Sequence, residues 1–280
     1  MSQPTTPANR LPFFVMLALC LLTLALRITD LMLFTDPETG FVTTGLFYAR
    51  IAAPLLCVVL SYVAARGVAR RPLALLGPCR GLGICLLGVA AALGASALLS
   101  VLELTSGTGG LTTVADAVTA LLSALWAMLW GVRAFGPLAD PTRPLPYTLT
   151  SLPGTTFFLW VMIDRFAVAP ASVMRLGSTL RVMSAAAALL FLAMVLRVFL
   201  TPGLPVGHAV FAAGMIAFMM CTCHELPQTV FEFFQGNATG PQLAAAVGMS
   251  IWGLAGLVCA WYATGEGLHL LPDTMYSKKK

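Results

Sequence analysis

Apolar residues in this chain come in long unbroken runs, and polar residues gather in the gaps between them. A hydrocarbon core about 30 Å thick takes roughly 20 residues of helix. Eight windows meet or approach that length: Leu11–Ile28, Leu46–Ala65, Gly81–Leu102, Val114–Val132, Gly154–Pro170, Val182–Leu200, Val206–Cys223 and Leu243–Ala263. A transmembrane β-barrel needs alternating segments of about ten residues, and these runs do not alternate. The pattern predicts an all-α polytopic bundle in one domain over residues 11–263, with a short tail at 1–10 and another at 264–280. Gly154–Pro170 is the weakest window, being the shortest and carrying Asp164 and Arg165 side by side. Eight spans are preferred, and seven remain open if this segment dips in and returns.

Composition narrows the class. Of 280 residues, 59% are hydrophobic and 10% charged, against about 25% charged in an ordinary soluble domain. Mean hydropathy is +0.89. A soluble enzyme, a disordered chain and a disulfide scaffold are excluded. No loop has the roughly 50 residues that a separate domain needs, so any chemistry must happen within the membrane layer. The first window lacks an A-x-A cleavage site, and Leu17-Ala18-Leu19-Cys20 misses a lipoprotein box, so it is expected to stay as a helix.

Charge sets the orientation. With eight spans and the N-terminus inside, the cytoplasmic segments hold Arg10, Arg66, Arg70, Arg71, Arg80, Arg133, Arg143 and Lys278 to Lys280, while the outer loops hold Arg175 and Arg181. With seven spans the N-terminal half keeps its orientation and only the C-terminal half inverts. The loop Glu225–Gln242 lacks basic residues, which suits the outer side and favours eight. The net charge of +5 is explained by anionic lipid and requires no nucleic acid.

Small residues at four-residue spacing let helix backbones approach. Gly88, Ala92, Ser96 and Ser100 form one stripe; Ala115, Thr119, Ser123, Ala127 and Gly131 form another. The short turn from Thr105 to Thr113 predicts that these two windows close into an antiparallel hairpin along the stripes. Ala244, Gly248, Gly256 and Ala260 make a third. Pro54 is expected to kink the second window, Pro153 to open the fifth, and Pro227 to end the seventh.

Charged residues within spans are costly and point to function. Arg27 and Asp30 share a helix face. With Arg50, Glu103 and Asp116 they lie at one level toward the outer leaflet, where they can form a network or line a vestibule; snorkelling to the headgroups is the plainer alternative. Asp164 and Arg165 point different ways on a helix, so each needs its own partner. Arg197 and His208 lie near helix ends and fit interfacial positions.

Several motifs fail. His224-Glu225-Leu226-Pro227-Gln228 lacks the second histidine of H-E-x-x-H. Cys221-Thr222-Cys223-His224 lacks zinc-ligand spacing. Gly248-Met249-Ser250-Ile251-Trp252-Gly253 lacks the glycine that a G-x-S-x-G elbow needs, and no phosphate loop is present. No cofactor, metal or catalytic residue is expected. Asp36-Pro37-Glu38-Thr39-Gly40-Phe41 fits a turn, since two carboxylates fall short of a calcium site.

That D-P-E-T-G-F run after a first span, together with Ile163-Asp164-Arg165-Phe166 and the later Arg175 and Arg181, resembles uncharacterised membrane proteins of Clostridia-type bacteria. The resemblance covers short patches. It implies a bacterial plasma membrane, with no activity attached. Two functions stay open: a small-molecule or ion transporter or channel-like protein, and a non-transporting accessory, assembly or sensor subunit. The lipid bilayer is the expected partner, and a membrane-protein partner or a homo-oligomer stays open.

Overall fold

Runs this apolar have to satisfy their backbone groups internally, and helices form where the windows lie. The structure is a computed structural model that describes residues 9–36, 47–70, 73, 79–135, 148–167, 176–201 and 204–265. Its helices are α1 (Leu11–Leu33), α2 (Phe47–Ala65), α3 (Arg80–Thr105), α4 (Leu111–Arg133), α5 (Thr148–Ala167), α6 (Leu176–Leu200), α7 (Gly207–Ala217), α8 (Leu226–Phe234) and α9 (Gly240–Thr264). A π-helical segment, Phe218–Glu225, joins α7 to α8 without a break.

Six rods are long and apolar enough to cross a membrane: α1, α3, α4, α6 from Thr179, the continuous Gly207–Phe234 rod, and α9. In α2, Arg50–Ala65 makes a shorter apolar helix. Against the eight spans expected, six such helices stand among the described residues, with α2 and α5 packed beside them. Pro37–Phe41 of the acidic turn, residues 1–8 and 266–280 of the tails, and Arg175 lie outside the described residues.

Several boundaries differ from expectation. α5 begins at Thr148, so Pro153, expected to open it, lies in its second turn, and α6 begins at Leu176. Two further differences have a clear physical reason. α1 continues past Ile28 to Leu33 because Arg27 and Asp30 neutralise each other one turn apart. The seventh rod does not stop at Pro227 but runs on to Phe234. A proline in an α-helix clashes with the carbonyl four residues earlier. Here the turn before Leu226 is π-helical, and its wider winding accommodates the ring. The stretch expected as a loop from Glu225 thus begins as helix.

Successive rods alternate in direction. Gly83 of α3 sits against Gly131 and Phe135 of α4, and Gly154 of α5 against Trp126 of α4. Arg165 near the end of α5 meets Arg181 near the start of α6. Phe13 of α1 packs edge-on to Trp261 of α9 at 5.1 Å, and the Arg10 guanidinium lies 4.2 Å over the same ring. The first and last helices therefore bring the beginning of α1 and the end of α9 together at one end of the bundle.

The Gly207–Phe234 rod forms the centre: 83% of its apolar window is buried, against 28% for α1. Its small residues permit this. A Cβ on Gly214 would overlap the backbone of Gly256, and the converse holds for Gly256. Beside it Trp252 of α9 is fully buried among Trp126, Phe158 and Phe191, and its Nε1–H donates to the Ala188 carbonyl at 3.2 Å.

α3 and α4 form the expected hairpin, the most extensive helix pair in the bundle. The small-residue stripes are used differently from expectation. Gly88 lies against Ile251, Ala92 beside Gly248, and the Ser96 hydroxyl donates to the Pro241 carbonyl at 3.0 Å. The α3 stripe thus faces α9, and Ser100 is buried. Ser123 donates to the Pro153 carbonyl at 2.8 Å and accepts the Phe157 N–H at 3.2 Å, so the middle of the α4 stripe faces α5. Gly131 packs on Leu86 and Leu87 of α3. The Thr119 hydroxyl bonds back to the Ala115 carbonyl, and Ala127 is fully buried. A hairpin leaves each helix a second neighbour, and small faces let that neighbour approach as well.

Gly256→Val is expected to destabilise the detergent-solubilised chain by about 1–3 kcal/mol or more through overpacking. Gly94 has open space where its Cβ would stand, so Gly94→Ala should hold or raise stability by about 0.5–1 kcal/mol. Thermal unfolding checks both, and equal melting of the two variants would refute the α7–α9 contact.

Candidate functional site

Charge buried in a low-dielectric layer has to be paired and hydrogen-bonded. Near one end of the bundle five rods supply such groups. Asp30 of α1 holds two guanidinium groups, Arg27 Nη1 at 2.7 Å and Arg50 Nη2 of α2 at 2.6 Å. Arg27 also donates through Nη2 to the Gln228 side-chain oxygen of α8. The Gln228 amide donates in turn to Glu232 at 2.5 Å, and Glu232 pairs with Arg181 of α6. The backbone carbonyl of Arg181 accepts from Arg165 Nη1 of α5 at 2.7 Å.

Arg165 then closes the network as a fork on Glu225, with Nη2 to Oε1 at 2.5 Å and Nη1 to Oε2 at 3.1 Å. Ser184 of α6 donates to the same carboxylate and accepts from Arg165 at 3.1 Å. The Glu225 side chain is only 1% exposed. A two-pronged guanidinium fixes angle as well as distance, so this pair locks α5 against the π-helical segment.

Arg27, Asp30, Arg50 and Arg165 are therefore brought into one network. Glu103 and Asp116 are not. The Glu103 carbonyl caps the turn after α3, accepting the Thr108 and Gly109 N–H groups at 3.2 Å. Asp116 accepts the Trp160 Nε1–H at 2.7 Å, tying α4 to α5. Asp164, expected to find an ion partner, makes no ion pair among the described residues. It sits one position from Arg165 and so faces away from the network. Arg197 is exposed at the far end of α6. Cys221 donates to the Ser184 carbonyl at 3.4 Å and Thr222 to the Ser250 carbonyl at 2.8 Å, so the C-T-C-H run is tied into helix packing.

Arg181, Ser184, Glu225, Gln228 and Glu232 join the site without having been singled out as its members. A signal was present. Glu225, Gln228 and Glu232 stand at i, i+3 and i+7, one face of a helix, but reading Pro227 as a terminus placed that face in a loop.

Between α1, α2, α6 and the π-helical segment lies a cavity of about 220 Å³. Arg27, Asp30, Arg50 and His224 supply its polar wall, while Pro54 and Leu180 belong to its apolar part. Leu26 and Phe34, both exposed, also border it. His224 is 5% exposed, and among the described residues neither ring nitrogen has a partner; Arg27 Nε is likewise buried and unmatched there. Pro54 lacks an N–H, which removes a helical hydrogen bond at this level. Helix interruptions of the π type recur at functional sites, and this one carries both His224 and Glu225.

These helices define a multi-pass helical membrane protein. No family model, curated protein or solved structure matches the chain.

Removing one partner of a buried pair leaves an uncompensated charge and costs about 3–5 kcal/mol. Glu225→Gln and Arg165→Met should each destabilise on that scale, and the double variant by less than their sum. Chemical or thermal unfolding of the four proteins in detergent measures the coupling, and additive effects would dissolve the pair.

Proposed function

We propose that this chain is a transporter or channel-like protein that passes a small solute or ion through the membrane by way of the cavity at Arg27, Asp30, Arg50 and His224. The observation that carries the reading is the cavity's position: it lies against the π-helical segment of the central rod, beside paired charges that the membrane layer would otherwise exclude. π-helical turns inside α-helices recur at functional sites, and this one presents His224 to the cavity. The reading needs no catalytic step or cofactor.

All eight rods cross in this proposal, with the N-terminus on the cytoplasmic face of a bacterial plasma membrane. The arginine distribution supports the orientation, since Arg10, Arg66, Arg80, Arg133 and Arg197 stand at the helix ends opposite the charge network. The accessory reading drew on small-residue stripes free to take a partner. Much of those stripes is occupied by α9 and α5 of the same chain.

Alternating access has a test that requires no known substrate. The seven native cysteines are replaced, and a single cysteine is placed by Ala53→Cys, on the cavity wall. A membrane-impermeant maleimide should label it from either side, in right-side-out and in inverted vesicles. Labelling from one side only would end the transport reading. A green fluorescent protein fused at the C-terminus should fluoresce if eight rods cross, and stay dark if seven do.

A further inference from the structure

We infer that the cavity receives the head of an amphiphilic anion, with a carboxylate or phosphate group set against Arg27 and His224 and an apolar body extending past Leu26 and Phe34. The inference rests on the proposed solute site and names the class of ligand it takes.

The buried polar atoms specify the head. Among the described residues, Arg27 Nε–H and the His224 N–H are donors without acceptors, and the second His224 nitrogen is an acceptor without a donor. A buried donor left unmatched costs about 1–3 kcal/mol, so two such residues on one cavity wall are expensive unless a ligand completes them. An oxygen-rich head supplies the acceptors such donors lack. In its protonated form it also donates to the remaining imidazole nitrogen. A bare cation is disfavoured because Asp30 already holds two guanidinium groups.

The rest of the cavity specifies the body. Pro54 and Leu180 are apolar and buried, and Leu26, 56% exposed, opens the space onto the outer surface of α1. That surface is part of an apolar helix long enough to cross the membrane. A volume of about 220 Å³ equals roughly seven waters. It holds a head and the first few carbons, and a longer chain leaves by the mouth. The chemistry is shared by a free fatty acid and a phospholipid.

Native mass spectrometry of the delipidated full chain tests this, with oleate, 1-oleoyl-lysophosphatidate, oleyl alcohol and acetate added separately. Oleate or the lysophosphatidate should bind one per chain, at least tenfold more tightly than oleyl alcohol or acetate. Preference for oleate marks a free amphiphile as the source, and preference for the lysophosphatidate marks a membrane lipid. His224→Leu removes both ring nitrogens without touching an ion pair, and should weaken binding at least tenfold. Ala53→Leu, which narrows the cavity, should do the same.

Equal binding of oleate and oleyl alcohol, equal binding of acetate, or unchanged affinity in both variants would overturn the inference. Two-sided labelling of Ala53→Cys without amphiphile binding would remove the ligand class and leave transport standing. Amphiphile binding with one-sided labelling would do the reverse.

Discussion

The arrangement of this bundle depends on the pairing of charge inside an apolar layer. An unpaired arginine, lysine or aspartate at mid-membrane costs roughly 2.5–3.5 kcal/mol on insertion scales, and the network gathers four guanidinium groups and three carboxylates. Each pair joins different rods or adjacent turns of one rod. Satisfying them together requires α1, α2, α5, α6 and the rod carrying Glu225 to meet at one level. The Gln228 side chain makes this continuous, accepting from Arg27 and donating to Glu232. Apolar contact alone would not select that level, because lipid competes equally for apolar faces.

The central rod shows how local chemistry and packing cooperate. Its first part is small and apolar, so α9 approaches until Gly214 and Gly256 touch backbone to backbone. Its second part is polar on one face, and Pro227 stands where an α-helical turn would clash. The π-helical winding before that proline carries the rod through and places His224 and Glu225 on successive positions facing different neighbours: the cavity for one, the Arg165 fork for the other. Structure and site thus share a segment whose winding departs from the ordinary helix.

Much of the fold was legible because hydrophobic length is a one-dimensional property. α3, α4 and α9 lie within a few residues of their windows, and the α3–α4 hairpin follows from a turn too short to allow anything else. Arg27 and Asp30 were legible as a pair because helical spacing puts them on one face. Glu103 and Asp116 were grouped with them only by depth. Depth does not say which way round the bundle a side chain points, and Asp116 faces Trp160 instead. Glu225, Gln228 and Glu232 were hidden by a proline rule that holds for an α-helix and is relaxed when the preceding turn widens.

By itself the chain's order of residues determined a helical membrane protein, the approximate place of its helices and the asymmetry of its arginines. Each of these depends on local composition and on the thickness of a bilayer. Only the tertiary structure decided which stripe meets which neighbour, that α3 gives its small face to α9 and α4 to α5. It alone decided that Arg165 finds Glu225, 60 positions away, and that a cavity remains beside His224. Partner choice among helices of similar hydropathy is settled by shape and by the geometry of a few buried hydrogen bonds. Neither can be evaluated until all the rods are in place.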